Sequence, residues 1–166
     1  MKPARHEACL LLGSNILPEQ HLPLAVERLQ KRVRILRTSS VWETTAVGSD
    51  GPNYLNMALL VESPFDFAAL KEQVLRPLEA QLGRVRTKDK NAPRTMDIDI
   101  LFFDGHAVDA LVWRYAFRAV PAAELLPAAI SETGEKLKDV AARLAGSAQI
   151  RLRRDVAITE IITTGK

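Results

Sequence analysis

Met96-Asp97-Ile98-Asp99-Ile100-Leu101-Phe102-Phe103 is the stretch that decides the fold. Its apolar, branched character predicts a buried strand, in which side chains two apart share a face. Asp97 and Asp99 then stand side by side with Cβ atoms roughly 6–7 Å apart, from the strand rise. Ile98 and Ile100 point the other way. Two carboxylates so close in a partly buried place repel each other, and each lacks water. A divalent cation between them removes both problems and keeps coordination positions for phosphate oxygens. The other reading is a strand-end pair held by basic side chains, of which Arg94 is one.

Upstream of the strand, Arg84, Arg86, Lys88, Lys90 and Arg94 crowd the approach, with Asp89 the only acid among them. Such a run is either a solvated loop or an anion site leading into the two aspartates. Before it, Asp66 is placed to N-cap a helix with Leu70, Val74, Leu78 and Leu82 on one face and Gly83 at its end. Pro77 lacks a backbone donor, so a kink is expected near Gln73–Pro77. Glu7–Leu12 reads as a strand ended by Gly13-Ser14-Asn15, and a helix follows Pro18 with Leu22, Val26, Leu29 and Val33 on one face. Val33–Trp42 and Tyr54–Val61 read as two more strands, with a turn-forming loop at Thr44–Pro52. The order is β-α-β-β-α-β. An α+β, ferredoxin-like core follows, with an antiparallel sheet and helices packed on one face of it.

Beyond that core, short helices are expected at Pro121–Leu126 and Lys136–Leu144. The basic tail from Arg151 to Lys166 is a candidate edge strand. The chain of 166 residues fits a single domain, with its core at about 7–137 and a basic C-terminal extension at about 146–166. Apolar content of 47%, charged content of 26% and a net charge of +3 describe a globular protein and give no argument for nucleic acid. No apolar stretch reaches the length of a membrane span. The N-terminal apolar run is too short for a signal core, so the cytoplasm is expected. A lone Cys9 excludes an internal disulfide, and His6, His21 and His106 have no ligand spacing. Neither GxxxxGK[ST] nor GxGxxG is present. Nucleotide phosphates would therefore need carboxylate-held magnesium and basic side chains.

Five motifs in order make the chain resemble the 6-hydroxymethyl-7,8-dihydropterin pyrophosphokinases of folate biosynthesis. They are Gly13-Ser14-Asn15, Ser39-Ser40-Val41-Trp42-Glu43-Thr44, Pro52-Asn53-Tyr54-Leu55-Asn56, Leu78-Glu79 through Gly83-Arg84-Val85-Arg86, and Pro93-Arg94-Thr95-Met96-Asp97-Ile98-Asp99-Ile100. The resemblance covers roughly residues 8–137. It implies magnesium-dependent transfer of pyrophosphate from ATP to the pterin hydroxymethyl group, with release of AMP. It assigns Asp97 and Asp99 to two magnesium ions and Arg84 and Arg94 to the phosphates. Glu79, Arg84, Lys90 and Arg94 fall on the nucleotide side. Thr44, Tyr54, Asn56 and Phe117 fall on the pterin side, Phe117 stacking opposite Tyr54. The partners implied are small molecules, with neither nucleic acid nor membrane, for a monomer or dimer.

The chain departs from that pattern in three places. Asn91-Ala92 stands where the family carries tryptophan and glycine before Pro-Arg. Thr45-Ala46 replaces prolines after Thr44. Asp104–Ala116 is short and lacks a Pro-His element, leaving Arg114 and Arg118 as replacement cations. The alternative function is therefore a pterin-binding paralogue, non-catalytic or with an altered substrate, whose nucleotide site is reduced. An RNA-binding module of related fold is disfavoured, since nothing matches its K/R-G-F/Y-G/A-F-V signature.

Overall fold

Strand β1 (His6–Ser14) runs through the centre of the sheet because its residues from Ala8 onward are buried on both faces. The computed structural model describes residues 4–46, 51–85, 88, 92–156 and 158. Helix α1 (Pro18–Leu29) follows, then β2 (Arg34–Thr38), β3 (Trp42–Thr44) and β4 (Tyr54–Ser63). A composite helix comes next, as α2 (Phe67–Ala69), a π-helical stretch (Leu70–Leu75) and α3 (Arg76–Gln81). Strands β5 (Asp97–Phe103) and β6 (His106–Ala107) precede a 3₁₀ turn (Ala110–Trp113). Helices α4 (Ala116–Leu125) and α5 (Leu137–Ala145) and strand β7 (Ile150–Leu152) complete the described elements.

The strand order is β6-β5-β1-β4-β3-β7, with β2 pairing the second half of β4, and every described pair is antiparallel. With β1 and β4 central, this is the ferredoxin-like arrangement expected. One difference lies in the segment after α1. The sequence suggests one strand over Val33–Trp42, but the chain makes two, because Ser39 replaces regular ladder pairing. Its hydroxyl accepts from the Ala58 N–H at 2.7 Å, and its own N–H donates to the Ala58 carbonyl at 2.9 Å. A bulge between Ile35 and Arg37 adds to the break.

Where a kink near Gln73–Pro77 is expected, the helix instead widens into the π-helical stretch over Leu70–Leu75. A Pro ring collides with the carbonyl four residues back, and the wider π-helical turn ahead of it gives room without breaking the helix. Asp66 caps the helix start, accepting from the Ala69 N–H at 2.8 Å, and Gly83 ends it at φ 87°.

A second difference concerns layers. Leu10, Leu12, Met57, Ile98 and Ile100 pack with α1 and the composite helix on one face. The other face is covered too, by α4 and α5, whose Ala119, Ala122, Leu125, Leu137 and Ala141 bury Cys9, Leu11, Ala58 and Leu101. The expectation of helices on one face thus holds for the βαββαβ unit alone. Helix α4 also starts five residues before Pro121. Burial of Ala119, Ala122 and Leu125 on one stripe outweighs the roughly 3 kcal/mol that an interior proline costs. Among the described residues, no helix is long and apolar enough to cross a membrane.

Candidate functional site

The polar side chains of the sheet gather beyond the point where α4 stops covering it. Register explains this. Gly13 lies opposite Asp97 on one side and Asn56 on the other, and Asn56 lies opposite Trp42. One row toward the core, Leu11 lies between Asp99 and Ala58. These rows put Asp97, Asp99, Asn56, Tyr54 and Thr44 on the face that α4 shares. They open into a cleft of about 240 Å³.

Leu11 and Gly13 floor the cleft, and Thr44, Thr45, Ala46, Tyr54 and Asn56 form one wall. Arg94, Asp97 and Asp99 form the second wall, while Tyr115, Phe117 and Arg118 hang over it from the start of α4. Asn56 is fixed: its amide donates to Thr44 Oγ1 at 2.8 Å. A Cβ on Gly13 would stand only 2.8 Å from Asn56 Oδ1, so glycine is needed for the strand to pass beneath that amide. Helix α4 is anchored at its far end. Arg37 donates to the Leu125 and Glu124 carbonyls, and Glu124 accepts from the Trp42 indole at 2.8 Å and Ser40 Oγ at 2.8 Å. Those bonds fix where Phe117 and Arg118 fall.

The two aspartates are unequally compensated. Arg94 Nη1 lies 2.7 Å from Asp97 Oδ2, and the buried Arg84 guanidinium is 3.8 Å from Oδ1. Asp99 has the Arg118 guanidinium at 3.4 Å, but Arg118 is drawn more closely to Asp109, at 2.7 Å. Burial, and then the charge of Asp97, push the Asp99 carboxyl up to about 6 against the weaker pull of Arg118. Burial chiefly raises the Tyr54 phenol as well. An acid desolvated beside a like charge suits a cation. Among the described residues no three His, Cys, Asp or Glu side chains converge. Magnesium, which takes one or two carboxylates and fills its other positions with water and phosphate oxygens, fits this donor set better than a closed structural metal does.

Eight of the residues singled out from sequence therefore share one cleft: Thr44, Tyr54, Asn56, Arg94, Asp97, Asp99, Phe117 and Arg118. Arg84 stands behind Asp97 rather than in the lining. Glu79 is buried below β5, where it accepts from Arg76 at 2.8 Å and from the Ile98 N–H at 2.7 Å. There it holds the aspartate-bearing strand to α3. Lys90 lies outside the described residues.

Three groups had no assigned role in the sequence reading. Tyr115 lies 5.5 Å from Phe117, ring to ring, and extends the aromatic overhang. Asp109 holds Arg118. Asn15 clamps the segment ahead of β5, accepting from the Arg94 N–H at 2.7 Å and donating to the Pro52 carbonyl at 3.3 Å. Only the Gly-Ser-Asn motif hinted at Asn15. A second depression, of about 280 Å³, shares Asp99 with the cleft and is bordered by Lys71, Arg76, Ile100 and Asp109. Asp99 thus lies between two concavities.

Residues 9–127 match the family described as 7,8-dihydro-6-hydroxymethylpterin-pyrophosphokinase (HPPK). Over 109 residues the chain is 37% identical to a 2-amino-4-hydroxy-6-hydroxymethyldihydropteridine pyrophosphokinase of Bacillus subtilis strain 168, a span of 61% of this chain and 62% of that protein. The pyrophosphokinase of the same name from Campylobacter jejuni is 36% identical over 103 residues, 60% of this chain and 64% of the relative. That from Methylorubrum extorquens is 34% identical over 149 residues, 82% and 92% of the two chains. The chain thus spans slightly under two thirds of the first two relatives and most of the third. Its fold is similar to that of Plasmodium falciparum HPPK-DHPS crystallised with pteroate, with a TM-score of 0.67 at 10% identity, covering 86% of this chain and 43% of that one. The matched span runs from the core of β1 past Asp97, Asp99 and Phe117, and on that extent the chain belongs to the 7,8-dihydro-6-hydroxymethylpterin-pyrophosphokinase family.

Proposed function

We propose that the protein transfers the pyrophosphoryl group of ATP to the hydroxymethyl group of 6-hydroxymethyl-7,8-dihydropterin, with magnesium, releasing AMP in folate biosynthesis. The observation that carries this is the position of Asp99, under-compensated and shared by an aromatic cleft and a basic depression. The pterin enters the cleft. Its ring lies between Tyr54 and Phe117, and its polar edge meets Asn56 and the backbone about Thr44. The nucleotide occupies the second depression, where Lys71 and Arg76 supply positive charge. Its phosphates reach the aspartates from that side.

In the reaction the hydroxymethyl oxygen forms a bond to the β-phosphorus and loses its proton to water. The bond from that phosphorus to the oxygen bridging to the α-phosphorus breaks, and AMP leaves with the bridging oxygen. Asp97 and Asp99 would hold magnesium, which would supply charge for the phosphate oxygens and acidify the attacking hydroxyl. The chain's own part is positioning and electrostatics. Arg94, Arg84 and Arg118 offer guanidinium groups to the transferred phosphoryls, and Tyr54 and Phe117 hold the alcohol in line. The reading gives the enzyme small-molecule substrates and a place in the cytoplasm.

Incubation with ATP, magnesium and the hydroxymethyl-dihydropterin is expected to release one AMP per pterin consumed. Pterin binding with no AMP above blank, at high enzyme and saturating ATP, would leave a non-catalytic pterin-binding paralogue instead. Gly13→Ala tests the pterin side. Its methyl group must displace the Asn56 amide, so pterin affinity is expected to fall about tenfold, the scale of one lost hydrogen bond. Fluorescence titration with pterin measures this. Affinity for an ATP analogue is expected to stay within twofold.

A further inference from the structure

Glu43 draws together three donors from two other parts of the chain. Its Oε2 accepts from Asn53 Nδ2 at 2.9 Å, and its Oε1 from Arg151 Nη2 at 3.0 Å and from Arg153 Nη1. Those bonds, Asn53's first, hold the Glu43 carboxyl down at about 2, so it is charged at neutral pH. Arg153 is itself fixed by a two-point contact with Asp155, at 2.8 Å through both Nε and Nη2, and its N–H donates to the Val41 carbonyl. Strand β7 lies along the outer edge of β3, with Thr44 opposite Ile150 and Trp42 opposite Leu152. An isolated exposed ion pair contributes little. A carboxylate with a geometrically fixed guanidinium, a second arginine and an amide is a network.

The ends of the segment that carries Thr44, Thr45 and Ala46 into the cleft are the residues so joined. Glu43 precedes Thr44, and Asn53 precedes Tyr54. We propose that β7 is a clasp for the substrate-facing wall: Arg153 is a positioning residue that, through Glu43, holds Asn53 and thereby sets Thr44, Tyr54 and Asn56. Asp97, Asp99 and Arg118 belong to β5 and α4, on the other side of the cleft, so the clasp acts on pterin and not on nucleotide. The inference rests on the pterin assignment above.

Arg153→Ala is expected to raise the pterin KM about tenfold, the scale of one charge-assisted hydrogen bond. The kcat and the KM for ATP are expected to stay within twofold. Arg153→Lys recovers part of the loss, since an ammonium cannot engage Asp155 at two points while reaching Glu43. Glu43→Gln combined with Arg153→Ala is expected to be no worse than the more damaging single change. A pterin KM unmoved by Arg153→Ala overturns the clasp. So does a parallel loss in kcat and both KM values. Hydrogen exchange on the ligand-free protein gives a readout independent of activity, with faster exchange expected over residues 43–46 and 51–56 in Arg153→Ala and no change over β5. Unchanged exchange there would sink the clasp even in an active enzyme. Absence of pterin binding by the wild type, with faster exchange in the variant, would sink the pterin reading and leave the mechanical link.

Discussion

Asp99→Asn is expected to remove activity and, at the same time, to make the ligand-free protein harder to melt at pH 7.5. The first effect follows from its place between the two concavities. On the proposed function, loss of a charge that would help hold magnesium against the phosphates removes several kcal/mol of transition-state stabilisation, about 10³-fold or more in kcat. The second follows from the raised carboxyl. Between the usual carboxylate value of 3.8 and about 6, the folded protein binds a proton at Asp99 that the unfolded chain does not. Stability from this group is therefore fully present below pH 4, falls as pH rises through about 6, and stays lower above it.

Asparagine resembles the protonated acid and escapes that loss. A gain of about 2 kcal/mol, or roughly 5 °C in Tm for a domain of this size, is expected at pH 7.5 and should vanish near pH 4. Magnesium with a non-hydrolysable ATP analogue should raise the wild-type Tm and leave that of Asp99→Asn nearly unmoved. A variant that melts earlier than the wild type at pH 7.5 would mean that Arg118 and Asp99 form a net stabilising pair, and that no cation is wanted there.

Arg118→Ala is expected to lower kcat about 10²-fold, the scale of removing one donor aimed at developing charge. The guanidinium lines the cleft, reaches both Asp99 and Asp109, and lies 5.1 Å from the Phe117 ring centroid. Among the described residues its buried Nε has no hydrogen-bond partner. Were magnesium to take Asp99, Asp109 would still hold Arg118 beside the site. Calorimetry with magnesium and the ATP analogue is expected to show weaker binding in Arg118→Ala, partly recovered in Arg118→Lys, while pterin affinity falls only by the lost contact with Phe117. Without Arg118 the Asp99 carboxyl moves further up, so the variant is also expected to be less stable at neutral pH. Unchanged kcat and unchanged nucleotide affinity would reduce Arg118 to a brace for Asp109.

Much of this was readable along the chain because local rules settle it. Period-two alternation is enough to place Asp97 and Asp99 on one face of β5, and a carboxylate three residues ahead of an amide is enough to cap the helix at Asp66. Pro77 announced trouble in its helix. The answer, a π-helical turn, depended on how Leu70, Val74 and Leu75 had to reach the core. The break at Ser39 was not legible, because it needs the Ala58 backbone across the sheet. Arg118 could only be named as one of two spare cations, since its partners Asp99 and Asp109 come from other segments. Glu79 carried a nucleotide-side assignment by resemblance, while in the fold it bonds the backbone of Ile98 from beneath.

What the amino-acid order determined by itself was the set of elements and the side chains with chemistry to offer, because backbone propensity, capping and strand periodicity act over a few residues. Only the tertiary structure decided which of those groups meet. Register across β1 set Asp97 beside Gly13 and Asn56, α4 brought Arg118 to Asp99, and β7 tied Glu43 to Asn53. Each of those contacts joins segments distant in sequence, and its energy exists only once the sheet has closed and water has left.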